Sequence, residues 1–260
     1  MPAWLEPDTR FYVFGTSHVV VLGAVAVLAG ALVWLGRRVR GTSNEQRVRR
    51  VFAIAIVGLE SSCQLTSMLP SNFRLDESLP FHLCDLAWVA AAYALWTRTA
   101  WAYGLVYYWG LSLTVQGLAT PHLENEFPHW QFVLFFTGHS LTVLAAVFLT
   151  WGEGMRPSWR LWRLSILITV AWGAAMLVFN YLAGTNYLYV LAKPPTASAF
   201  DLMGPWPIYL FVSLAVGASL WALMTLPWYA RFASSRTSDF VPATHAGQLP
   251  DLATAVHDAP

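Results

Sequence analysis

Apolar residues gather along this chain in seven long blocks, near 17–36, 48–69, 81–97, 101–119, 129–151, 161–183 and 205–229. Short polar or arginine-bearing connections separate them. Each block approaches the roughly 20 residues that carry an α-helix across the hydrocarbon of a bilayer. Backbone groups in that hydrocarbon need internal partners, so helix is predicted throughout. The expected fold class is all-α: a polytopic membrane protein with seven transmembrane helices in one bundle. The predicted organisation is an extracytoplasmic N-terminus (1–16), a seven-helix domain (17–229) and a cytoplasmic tail (230–260). The tail is rich in Ser, Thr, Pro, Ala and Asp without a clear apolar period, which predicts disorder. The first block lacks a basic stretch before it and is followed at once by arginines, so it is read as a span and not a cleaved signal.

Composition strengthens the membrane reading. Of 260 residues 57% are hydrophobic and 11% charged, against about 25% charged in soluble domains. The 14 Trp and 10 Tyr suit a chain with two bilayer–water interfaces. Arg37, Arg38, Arg40, Arg47, Arg49, Arg50, Arg98, Arg156, Arg160, Arg163, Arg231 and Arg236 all fall on one side of the predicted topology. Only Arg10, Arg74 and Lys193 fall on the other. The side rich in arginine is cytoplasmic by the positive-inside rule, which puts the N-terminus outside and the C-terminus in the cytoplasm. The expected location is the cell membrane, as a multi-pass protein. A net charge of +1 and the lack of a basic stripe with interleaved aromatics point away from nucleic acid.

That topology gives each intramembrane polar residue a depth. His18 lies near the outer end of the first helix. Glu60, Cys63, Gln64 and Ser67 share one face of the second, since residues three, four and seven apart are neighbours. "LPFHLCDLAWV" (79–89) opens the third helix with His82, Cys84 and Asp85. Tyr108, Ser112 and Gln116 form an i, i+4, i+8 ladder on the fourth. "FFTGHSLT" puts His139 near mid-bilayer in the fifth. "FNYLAGTNYLY" brings Asn180 and Asn186 to the outer end of the sixth. Ionisable groups within a membrane are costly, and their gathering at one depth predicts a polar cavity inside the bundle, open to the outer leaflet.

The residue types admit several chemistries. A thiol beside an imidazole is a minimal unit of covalent catalysis, which makes Cys84 the candidate nucleophile and His139 its base, with Asp85 or Glu60 to orient the ring. A single buried Cys is more often a small packing residue, and Cys63, close enough in depth for a disulfide with Cys84, is read first as packing. His18, His82 and His139 with the two carboxylates are suitable metal ligands, yet no His-x-x-x-His or His-Glu-x-x-His spacing occurs, and neither a metal nor any other cofactor is expected. The same groups suit a proton-coupled transporter or a ligand-binding sensor that makes no covalent bond. Against transport, polar residues thin out toward the cytoplasmic side, as in "LAWVAAAYALW" (86–96). Substrate contacts are expected from His18, His82, Gln64, Tyr108, Gln116, Asn180 and Asn186.

"LPFHLCDLAW" (79–88), "YYWGLSLTVQGLATPHL" (107–123), "FFTGHSLTVL" (135–144), "NYLAGTNYLYVLAKP" (180–194) and "DLMGPWPIY" (201–209) together resemble the YwaF-like bacterial membrane proteins, relatives of the transmembrane protein 164 family. The resemblance runs in order from about residue 10 to 230. It implies an acyltransferase or acyl hydrolase acting on a membrane phospholipid or other acyl lipid through a thioester. By the same resemblance Cys84 in "HLCD" corresponds to the acyl-accepting cysteine and His139 in "TGHS" to the essential histidine.

Overall fold

A computed structural model describes residues 10–121, 123–195 and 198–238, with side chains as far as Tyr229. Among the described residues the chain is helical, with a lone bridge between Arg10 and Asn125. Within them, seven rods match the seven apolar blocks: α1 (Thr16–Val39), α2 (Asn44–Ser67), α3 (Leu83–Thr97), α4 (100–119), α5 (Trp130–Gly152), α6 (Trp159–Ala183) and α7 (Ile208–Ser238). Helix α7 continues past 229 into the first residues expected as tail; residues 239–260 of that tail lie outside the described residues. So do residues 1–9 of the N-terminus and His122 of the acidic "HLENEF" connection.

Local chemistry sets the ends of these rods. At the start of α3 the Asp85 carboxylate accepts the His82 N–H at 2.9 Å, satisfying a donor that has no partner along the helix. The Ser158 hydroxyl accepts from the Leu161 N–H at the head of α6, which ends at Gly184 in the left-handed region (φ 69°). Between α3 and α4 the chain turns within two residues, with Arg98 itself left-handed.

Four rods are long and apolar enough to cross a membrane: Thr16–Val39, Trp130–Gly152, Trp159–Ala183 and Ile208–Tyr229, with mean hydropathies from 2.5 to 1.8. Helix α3 has only 15 residues, about 22 Å at 1.5 Å per residue, and α2 begins with the polar "NEQRVRR". Helix α1 leaves Val19, Val20, Val27, Leu28 and Trp34 exposed, an apolar outer face. The interior is built around α3, α4 and α5. Ala87, Ala90, Ala91 and Ala94 keep α3 slim, and the large side chains Tyr103, Tyr107, Tyr108 and Trp109 of α4 are buried against it.

Helix α4 is not a uniform α-helix. Val106–Thr114 is π-helical, as is Phe148–Gly152 at the end of α5. Bonding from i to i+5 puts more residues into each turn and rotates the side chains beyond it about the axis. Tyr108 and Ser112 accordingly face α7: the Tyr108 hydroxyl bonds Thr225 at 2.7 Å, and Trp221 Nε1 donates to Ser112 Oγ at 2.9 Å. Trp109 Nε1 donates to Thr169 of α6, and Trp162 Nε1 to the Ala218 carbonyl of α7. Such hydrogen bonds hold helices together where lipid supplies no hydrophobic drive between them.

Candidate functional site

Three helices bring their ionisable groups to one cavity of about 180 Å³. Helix α2 contributes Glu60 and Cys63, three residues apart and so on one face. The first turn of α3 contributes Cys84 and Asp85, and α5 contributes His139. Thr114 of α4 lies beside the Cys84 thiol, while Trp88, Leu134 and Phe135 supply apolar walls. No Lys or Arg is among the residues lining it, so the two carboxyl groups face each other and a thiol without a cation.

The imidazole has a defined tautomer. Nδ1 of His139 lies 3.0 Å from the Phe135 carbonyl, which only accepts, so Nδ1 carries the hydrogen in the neutral ring. Nε2 is left with its lone pair. The ring stacks on Phe135 with centroids 4.1 Å apart, and Gly117 gives it room: a Cβ there would stand 3.1 Å from Cδ2 and 3.4 Å from Nε2. Gly138 does the same for Glu60, whose carboxyl rests against it; an added Cβ would lie 3.1 Å from the carboxyl carbon. Gly138 lets the Glu60 carboxyl of α2 rest directly against the α5 backbone.

Cys84, His139, Asp85 and Glu60 thus line one cavity, and the other candidates serve different contacts. Gln64 donates to the Ser78 carbonyl at 2.7 Å. Asn180 is fully buried, donating to the Tyr187 carbonyl and accepting from the Tyr187 N–H and the Thr185 hydroxyl. Asn186 closes its own loop through Ala192 and Leu191. Gln116 is exposed and Tyr108 faces α7. His18 is fully buried, with Nε2 donating to the Leu118 carbonyl at 2.7 Å and Nδ1 accepting the Phe14 N–H at 2.9 Å. His82 packs against Tyr187, whose hydroxyl accepts from the Leu79 N–H and donates to the Leu75 carbonyl. Tyr187 thereby fastens the segment that leads into Cys84.

Cys63 and Cys84 are both free thiols on the cavity wall. Among the described residues no three His, Cys, Asp or Glu side chains gather as a metal site. Thr114, Trp88 and Thr142 are lining residues that sequence reasoning passed over. Thr142 had a visible signal, three residues after His139 on the same face. Thr114 closes the π-helical stretch, with its hydroxyl bonded five residues back to the Trp109 carbonyl, a geometry that an α-helical spacing does not announce.

A model of the TMEM164 family matches residues 13–225. An uncharacterized protein of Treponema pallidum (strain Nichols) is 24% identical over 222 residues, covering 85% of this chain and 92% of that protein. No solved structure matches the chain. Four apolar helices and this match make the chain a membrane protein. With the family model spanning most of its length, the chain belongs to the TMEM164 family.

Proposed function

We propose that the chain is a seven-span membrane enzyme, N-terminus outside, that transfers or hydrolyses fatty acyl groups of a phospholipid through a thioester on Cys84. The observation that carries this reading is that Cys84 lines one cavity with two carboxyl groups and a histidine whose Nε2 has no hydrogen-bond partner among the described residues. Membership of the TMEM164 family supports it, as does the resemblance of "HLCD" and "TGHS" to an acyl-accepting cysteine and its histidine.

In the proposed cycle Nε2 of His139 takes the Cys84 proton, and the sulfur attacks the ester carbonyl carbon. The tetrahedral intermediate collapses by breaking the ester C–O bond, and the imidazolium returns its proton to the leaving glyceryl oxygen. Cys84 now carries the acyl group as a thioester. A lysophospholipid hydroxyl, or water, gives its proton to Nε2 and attacks the thioester carbon. The C–S bond breaks, the acceptor keeps the acyl group, and the thiolate regains the proton. Acyl transfer needs donors aimed at the developing oxyanion. Thr114, which otherwise donates to the Trp109 carbonyl at 3.3 Å, is the nearest candidate. Gln64, Gln116, Asn180 and Tyr108 are engaged or directed elsewhere. Asp85 is tethered to the His82 N–H, and it holds the first turn of α3, and therefore the thiol, against the cavity.

The test is a purified, liposome-reconstituted protein incubated with a phospholipid bearing an isotopically labelled acyl chain. Hydroxylamine-sensitive label is expected on Cys84, retained in Cys63→Ala and lost in Cys84→Ala. Equal labelling of Cys84→Ala would remove the covalent mechanism. Topology is checked separately with a C-terminal fluorescent-protein fusion, which matures in the cytoplasm.

A further inference from the structure

A second, larger cavity of about 480 Å³ lies between α2 and α3, on their outer side. Its floor is Ala53 and Ala92, both buried, and its walls are Ile54, Val57, Tyr93 and Trp96, all substantially exposed. Gly58 completes it, and apart from the surrounding backbone of α2 no atom lies within 4 Å of where a Cβ at that position would stand. The groove is distinct from the thiol cavity: Glu60, two residues beyond Gly58, points about 200° around α2. No thiol, imidazole or carboxylate lines the groove.

One end of this apolar groove carries a cation. Arg50 precedes Ile54 by four residues and Val57 by seven, which puts it on the same face of α2. Its guanidinium sits 5.0 Å above the ring of Trp96, itself a wall of the groove. Arg50 is exposed and no carboxylate pairs with it among the described residues. Arg47 stands one turn earlier, also exposed. Cation–π contact holds a guanidinium in place and leaves its N–H groups free to bond an anion.

We propose that this groove is a binding site for a resident anionic phospholipid, distinct from any reacting one, with an acyl chain along Ala53, Gly58 and Ala92 and its phosphate on Arg50. The volume falls in the range of small-molecule sites. A lipid tail matches an apolar, membrane-facing channel, and the guanidinium of Arg50 at its end matches an anionic headgroup over a zwitterionic one. The site depends on α2 and α3 facing lipid and is independent of the thioester chemistry.

Native mass spectrometry of the full chain in neutral detergent, titrated with phosphatidylglycerol or phosphatidylcholine of equal chain length, tests this. One phosphatidylglycerol per chain is expected to bind more tightly than phosphatidylcholine. Gly58→Leu fills the groove where there is open space and should weaken phosphatidylglycerol about tenfold, the effect of denying burial to roughly two methylenes. Arg50→Gln should weaken it about fivefold, the loss expected for one basic residue at an anionic surface, and erase the headgroup preference. Equal affinity for the two lipids in the wild type, or a Gly58→Leu protein that binds as the wild type does, would overturn the site. So would dimers that Gly58→Leu abolishes, because the groove would then hold a second copy of the chain.

Discussion

Two pairs of carboxyl groups lie toward opposite ends of the bundle, and their surroundings are opposite. At one end Glu60 and Asp85 share a cavity with a thiol and an imidazole and no cation. At the other, Glu45 and Glu153 sit among arginines: Arg98 bonds Glu45 at 2.5 Å and lies 3.6 Å from Glu153, and Arg49 lies 3.5 Å from Glu153 while donating to the Leu95 carbonyl. The cluster joins the start of α2, the end of α3 and the chain just past α5. Charge that is neutralised locally serves to fasten helices. Charge left facing a cavity without a counter-ion is costly for the fold and is more readily explained by chemistry. Substitutions at the two ends should therefore fail in different ways.

The largest expected effect is on turnover. His139→Ala should lower acyl transfer by about 10²–10⁴-fold, the usual contribution of a positioned proton-transfer group, with melting behaviour close to that of the wild type; a steady-state assay in liposomes checks it. Next comes the carboxyl contrast. Glu153→Ala leaves Arg49, 8% exposed, without its counter-charge, and should cost about 3–5 kcal/mol of stability at pH 8 while the surviving folded protein keeps its activity. Glu60→Gln should do the reverse, lowering activity and leaving the melting temperature unchanged or raised. Thermal unfolding in detergent, measured alongside turnover, distinguishes the two. Loss of stability in Glu60→Gln would erase the contrast between the ends.

Much of this division is legible in the sequence. Arginines at 37–50 and at 98 mark one end, and the order Glu60, Cys84, Asp85, His139 marks the other, because burying such groups in apolar helices needs a reason that local packing does not give. The rods begin and end close to the apolar blocks for the same cause. The hidden features depend on backbone geometry or on distant partners. An α-helical period places Tyr108, Ser112 and Gln116 in one ladder, and it does put Tyr108 and Ser112 on one face; the π-helical stretch turns that face to α7 and brings Thr114 round to the thiol. His18 has the right depth and type for a site residue, but Leu118, a hundred residues away, and the Phe14 N–H use both ring nitrogens. Neither partner can be read from spacing.

Gly138→Ala should have a smaller effect that sharpens the contrast at the cavity end. The new methyl meets the far end of a flexible side chain, so Glu60 swings away and the backbone stays in place. Ala is favoured over Gly within a helix by about 1 kcal/mol, which offsets the lost contact. Stability should therefore change little, and turnover should fall toward that of Glu60→Gln. A double variant, Gly138→Ala with Glu60→Gln, should be no slower than Glu60→Gln alone. Additive losses would mean that Gly138 acts on His139 and not through the carboxylate.

The smallest expected effect is a pH slope belonging to the ionic end. Burial, reinforced by the neighbouring Glu45 carboxylate, holds the Glu153 carboxyl up to about 7, against an ordinary value of 4.5. Glu45 moves the other way, lowered first by the Gly41 N–H that it accepts. A carboxyl that keeps its proton more firmly folded than unfolded contributes stability that is complete below its ordinary value and is lost as pH rises through its folded one. Glu153 therefore tilts stability downward between about pH 4.5 and 7. Glu45, being lowered, loses its contribution only as pH falls below its ordinary range and adds little slope in that window. Melting temperatures measured across the window should fall more steeply for the wild type than for Glu153→Gln, which has no proton to release there. Parallel curves would mean that Arg49 and Arg98 hold Glu153 fully ionised, and that the two ends differ in how their carboxyls are packed and not in how they are charged.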